Sequence, residues 1–145
     1  MKTKLLKDKK PRTFALVLDK GEEVHESLLR FTHDHKLSGA ELSAIGALQD
    51  VVVAFFDRET KEYEKIPINE QVEVLALNGN IAMKGGEPKV HAHIVVAKRD
   101  GSAHGGHLMR AHVWPTLEIV IRETPAYLQR RVDDETGLAL LDPAA

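Results

Sequence analysis

Apolar and polar positions alternate, switch period once, and then alternate again to near the end of the chain. Thr13-Phe14-Ala15-Leu16-Val17-Leu18 reads as a first strand, and Asp19-Lys20-Gly21 as a turn. From Glu22 to about His35 the period becomes helical. Val24, Leu28 and Phe31 fall at i, i+4 and i+7 with Leu29 alongside, which makes one apolar stripe. Glu22 and Glu23 suit the positive end of the helix dipole, and Lys36 suits the other end.

Beyond Gly39 the pattern returns to strands. Ala40 to Ile45 leads through Gly46-Ala47 to Val51–Phe56. In that run Val51, Val53 and Phe55 alternate with Val52, Ala54 and Phe56, so both faces are apolar. One face can serve the domain core and the other a contact between subunits. Tyr63 to Ile68 alternates, and Pro67 within it argues for an edge or a strand end. Val72–Leu77 reads as a strand that reaches Asn78-Gly79-Asn80, a tripeptide of turn or bulge character, and Ile81 to Met83 resumes it. Lys84–Pro88 is a loop, Lys89 to Lys98 a strand, and Arg99-Asp100-Gly101-Ser102 a turn. His107 to Val113 and Leu117 to Ile121 are two more strands, separated by Trp114-Pro115-Thr116. The tail from Tyr127 is expected to form a helical turn and then to be loosely held. Many short strands and one early helix predict an α+β domain. Its central sheet should be mostly antiparallel, with one main helix packed on it.

The chain has 145 residues, 43% hydrophobic and 29% charged, which suits one domain with an ordinary core. No apolar run is long enough to span a bilayer, and no charged-then-apolar leader opens the sequence, so a cytoplasmic protein with no membrane partner is expected. There are no cysteines, so a metal site would have to use His and carboxylate. Net charge is −2, which excludes a polyanion binder built on overall charge. Residues 1–12, however, form a basic arm: Lys2, Lys4, Lys7, Lys9, Lys10 and Arg12 face only Asp8. Such an arm can contact phosphate without sequence preference, although a solvated, frayed terminus is the simpler expectation.

The residues with the most chemistry are His91 and His93 in Val90-His91-Ala92-His93-Ile94, and His107 in Gly105-Gly106-His107-Leu108. Residues two apart on a strand share a face, so both imidazoles of His-x-His point to one side. A third ring from an adjacent strand would complete a three-histidine site for zinc or another divalent metal, with one position open. Half-buried sheet histidines with separately hydrogen-bonded rings are the competing reading. His104 is a spare, and His112 falls on the face opposite His107. His25, His33 and His35 belong to the helix, with His33 and His35 solvent-facing or capping. Glu73 and Glu118 are acids inside apolar strands. Each is a solvent-face residue by default, and otherwise a partner to a ligand imidazole or a general base. No phosphate-binding loop, dinucleotide fingerprint or nucleophile elbow is present.

The order of segments resembles the PPC domain, the "plants and prokaryotes conserved" domain, over roughly residues 12–125. The resemblance rests on Ala44-Ile45-Gly46-Ala47-Leu48, Glu73-Val74-Leu75-Ala76-Leu77-Asn78-Gly79-Asn80-Ile81, Val90-His91-Ala92-His93-Ile94, Gly105-Gly106-His107-Leu108 and Leu117-Glu118-Ile119. It implies a domain at 13–125 between the arm and a tail at 126–145, assembly as a homotrimer, DNA binding as the role assigned to relatives, and a metal on the His set. The plant features are not carried over. Lys9-Lys10-Pro11-Arg12 lacks the Arg-Gly-Arg-Pro core of a minor-groove hook, and Glu70–Leu75 lacks the arginine and phenylalanine of the plant partner-binding hexapeptide. Three readings follow. One is a trimeric binding or regulatory module with a histidine metal site and an unidentified small-molecule ligand. Another is a small metal-dependent hydrolase or lyase with Glu73 or Glu118 as base. The last is a weak DNA binder using three arms together.

Overall fold

The computed structural model describes residues 1–7, 9–124 and 127–144. In chain order the elements are β1 (Lys2–Lys7), β2 (Thr13–Asp19), α1 (Val24–His35), β3 (Gly39–Asp57), β4 (Glu62–Ile68), β5 (Val72–Lys84), β6 (Glu87–Ala97), β7 (Ala103–Glu123), β8 (Gln129–Val132) and β9 (Ala139–Asp142). This is an α+β domain with one helix against a mixed sheet. Among the described residues the parallel contact is a single one, Met83 of β5 beside Gln129 of β8; the other strand pairs run antiparallel.

Two long strands organise the sheet. β3 lies between β7 and β5 along its first half and between β7 and β4 along its second. β6 bridges β5 and β7, so the pairings β3–β5–β6–β7–β3 form a closed circuit. Alternation sets the burial: Phe14, Leu16 and Leu18 of β2 and Leu117, Ile119 and Ile121 of β7 are all buried. Val24, Leu28 and Phe31 of α1 join the same core, with Phe14 and Phe31 edge-to-face at 5.2 Å. Burial of each such side chain contributes about 1.5–3 kcal/mol. Glu23 caps α1, one carboxylate oxygen accepting from the Glu26 N–H and the other from the Ala111 N–H of β7. One side chain thus starts the helix and fixes it to the sheet.

The structure corrects four local expectations. Residues 2–7 are not frayed but form β1, paired along β2. The segments on either side of Trp114-Pro115-Thr116 are one strand, β7, whose register against β3 shifts around Leu48. The tail is not helical: β8 and β9 form an antiparallel hairpin. Asn78-Gly79-Asn80 forms neither a turn nor a bulge: β5 runs through it in continuous register, opposite Ser43 and Leu42 on one side and His93 and Ala92 on the other. Pro67 does sit on an edge, since among the described residues β4 pairs with β3 alone. No described helix is long and apolar enough to cross a membrane.

Candidate metal centre

His91 and His93 stand on the face of β6 opposite the buried Ala92 and Ile94. His107 lies directly across from His93 in the β6–β7 ladder. Alternation and register therefore put three rings on one patch. Their centroids are 5.1 Å (His91–His93), 5.1 Å (His91–His107) and 5.5 Å (His93–His107) apart. A nitrogen from each of the three lies within 4.8 Å of the others.

The closest pair is His91 Nε2 and His93 Nε2 at 3.2 Å. Two nitrogens bound at about 2.0–2.1 Å to one tetrahedral zinc would be roughly 3.3–3.4 Å apart, so the spacing suits a shared metal. His107 Nδ1 is buried without a hydrogen-bond partner among the described residues. Burial, reinforced by the charges of His91 and His93, pushes the His107 imidazole down to about 4. His91 is lowered as well, by burial first and then by Arg130 and His93. Both rings are therefore neutral near pH 7, the protonation state a metal requires. The donors fit a divalent cation.

Close backbone approach makes this packing feasible. A Cβ on Gly105 would lie 2.8 Å from the Ile94 carbonyl oxygen, and one on Gly106 would lie 2.7 Å from that of Ala54. The Gly-Gly pair thus lets β7 fit between β6 and β3 and present His107 beside them. Gly79 does the same on the other side of β6, where a Cβ would sit 2.4 Å from the His91 carbonyl oxygen.

Residues 6–125 match the Plants and Prokaryotes Conserved (PCC) domain. The chain belongs to this family. Among solved structures, it is similar to a plant- and prokaryote-conserved protein of Pyrococcus horikoshii (32% identity, TM-score 0.86, covering 92% of this chain and 93% of that one). It is also similar to a metal-containing protein of Archaeoglobus fulgidus (34%, TM-score 0.82, 97% and 99%). A provisionally assigned DNA-binding protein of Bacteroides thetaiotaomicron is alike as well (26%, TM-score 0.89, 97% and 96%). A curated relative, the bifunctional protein GlmU of Synechococcus sp. (strain JA-3-3Ab), is 33% identical over 129 residues. These are 87% of this chain but only 20% of that protein, so the chain spans about a fifth of its length.

Within this PCC domain the remaining candidates are dispersed. His112 pairs with Asp50, Nδ1 to Oδ1 at 2.9 Å. His104 is exposed, 3.3 Å from the Ser102 hydroxyl. His33 is exposed, but His35 is not simply solvent-facing: its ring packs on Phe31 at 4.2 Å and on Phe14 at 4.9 Å. Glu73 is exposed opposite Ala47 and Ala97, five positions along β5 from the residue facing His93, roughly 17 Å at about 3.4 Å per residue. Glu118 is exposed opposite Val17 and Ile45, farther still from His107 along β7. Neither acid lines the space beside the rings.

Two residues that do line it escaped the sequence reading. Tyr63 of β4 packs on His107 at 4.7 Å. Arg130 of β8 hydrogen-bonds Asn80 of β5 and the Ala139 carbonyl of β9. Tyr63 could be found only by knowing that β3 pairs with β4 on one side and with the His107 stretch of β7 on the other. Arg130 had no local signal, because the tail carries no apolar period and Asn80 reads as a turn residue.

Proposed function

We propose that this PCC protein is a homotrimeric binding module that holds a divalent metal, zinc in the first instance, on His91, His93 and His107. The single observation that carries the reading is the convergence of the three rings, with two Nε2 atoms 3.2 Å apart. The description of the Archaeoglobus relative as metal-containing supports it. When bound, zinc on three neutral imidazoles keeps a fourth position for water or an oxygen ligand and supplies Lewis acidity there. The test is elemental analysis of protein purified without a histidine tag. One zinc per chain is expected. His91→Ala and His107→Ala should each weaken it by at least about 100-fold, since loss even of a residue supporting a ligand costs about 10–100-fold. Metal-free protein after zinc dialysis would refute the reading.

The trimer is supported by an apolar face on the side of the sheet away from the core. Ile45 is 60% exposed, Leu75 54% and Val120 41%. With Ala15 and Val17 they line a hollow of about 440 Å³. A largely apolar patch of this kind, with Glu118, Ser43 and Asn78 also in its lining, marks a contact surface, and a second copy of the chain would cover it.

DNA binding is a second reading, favoured by the exposed Lys2, Lys4 and Lys7 on edge strand β1 and by the name given to the Bacteroides relative. Arg12 is withdrawn from this patch, because Glu123 binds its guanidinium at 2.9 and 3.0 Å. Retention on duplex DNA at about 150 mM salt, lost on deletion of residues 1–12, is the expected result if DNA is a partner.

A further inference from the structure

The cavity beside the histidines has a composition the metal alone does not explain. Its volume is about 240 Å³. Lys84, Lys89 and Arg130 enter its lining together with His91 and His107, and no Asp or Glu does. Neither lysine has an ion-pair partner among the described residues. The rest of the wall is Tyr63, Val90 and residues Leu138–Leu140 at the start of β9. A pocket whose charges share one sign, set in apolar walls, concentrates counter-ions of the opposite sign.

Arg130 is the informative member. Two of its nitrogens are committed, one to the Ala139 carbonyl oxygen and one to Asn80 Oδ1. These bonds hold the guanidinium at a fixed angle between β5 and the β8–β9 hairpin. The third nitrogen, Nε, is buried with no acceptor. Buried guanidinium donors nearly always have an acceptor, and Nε has none among the described residues, so Arg130 is held here at a cost that fastening the hairpin leaves unexplained. Had Arg130 served only to fasten the hairpin, a neighbouring carboxylate would have been the ordinary partner, and the cavity contains none.

We propose that this cavity is a subsite for a small organic carboxylate, which Arg130 of the C-terminal hairpin binds beside the histidine centre. The proposal rests on the metal reading of the same rings and adds the class of ligand. The planar guanidinium edge matches a carboxylate. Tyr63, Val90 and Leu138–Leu140 suit a short hydrocarbon body behind the charged head. A bare phosphate would leave those walls without a partner. Residues 129–140 thus act as the specificity element of the site, although they lie beyond residues 6–125, which match the family.

The experiment separates the two readings. Zinc binding is measured first, by equilibrium dialysis of the full chain and of Arg130→Gln, and the two are expected to agree within about twofold. Butyrate, butyramide and inorganic phosphate are then titrated into zinc-loaded and zinc-free protein, followed by amide chemical shifts. Butyrate should bind saturably and shift the amides of residues 138–140. Arg130→Gln should weaken it at least tenfold, and butyramide and phosphate should each bind at least tenfold more weakly. Butyrate that does not bind, that binds Arg130→Gln equally well, or that is matched by butyramide or phosphate overturns the proposal. Should zinc fail to bind, the metal reading falls alone. The zinc-free titration then decides the carboxylate subsite, with Arg130-dependent butyrate binding upholding it and its absence overturning it. If Arg130→Gln loses its folded amide spectrum, the Lys84→Gln/Lys89→Gln double variant decides instead. A loss of at least threefold in butyrate affinity sustains the proposal, and unchanged affinity refutes it.

Discussion

Replacing Gly79 with alanine tests whether backbone contact between β5 and β6 sets the histidine geometry. The added Cβ would lie 2.4 Å from the His91 carbonyl oxygen, 2.8 Å from Ala92 Cβ and 2.9 Å from Ala92 Cα. Ordinary contact begins near 3.4 Å, so the shortest of these is about 1 Å too close. Two of the three atoms are backbone, and the third belongs to a buried alanine, so no flexible side chain can yield. β6 must move away from β5, and it carries His91 and His93. Overpacking of this kind costs about 1–3 kcal/mol, offset in part by the roughly 0.4–1 kcal/mol that alanine gains by restricting the unfolded chain. The net loss should lower Tm by about 2–8 °C at this chain length. Metal donors tolerate only about 0.2 Å, so a shift of several tenths of an ångström should weaken zinc at least tenfold. Melting curves and competition against a zinc chelator give the two numbers. Gly21→Ala is the control: its Cβ meets nothing within 4 Å, and its φ of +83° makes it a purely local strain. It should cost about 1 kcal/mol in stability and leave zinc affinity unchanged. Zinc affinity in Gly79→Ala within twofold of the parent, or a Tm unchanged from that of the parent, would refute the reasoning.

Two further outcomes follow from other parts of the fold. The buried Glu123 carboxylate accepts from the Arg12 backbone N–H, Nε and Nη2, and hydrogen bonding from the Arg12 side chain holds its carboxyl below the usual 4.5. A depressed carboxyl stabilises the fold above the unfolded pKa and loses that contribution as pH falls through the folded one. Glu123→Gln should therefore cost about 2 kcal/mol at pH 7, with the difference from the parent shrinking below about pH 4.5. Equal differences in Tm at pH 7 and pH 3 would contradict this. For the apolar face, Ile45→Glu should convert a trimer to a folded monomer in light scattering at micromolar concentration. A parent protein that is already monomeric would remove the trimer proposal.

The sequence by itself determined what depends on near neighbours. The i, i+4, i+7 stripe of Val24, Leu28 and Phe31 fixed α1, because a helix satisfies its hydrogen bonds within the segment and leaves only its apolar face to be buried. Strand alternation put His91 and His93 on one face, and Gly105-Gly106 announced a close approach before His107. Only the tertiary structure decided which strands meet. Asn78-Gly79-Asn80 carries the residue preferences of a turn, yet a glycine is needed there because β6 passes within a side chain's width. Local alternation left Glu73 and Glu118 open between a solvent face, the default, and a partner to a ligand imidazole; the strand pairings place both away from the rings. Tyr63 and Arg130 arrive from strands far along the chain. Side-chain direction is a property of the local backbone, whereas the surroundings of a ring are set by pairings between distant strands, on which local periodicity carries no information.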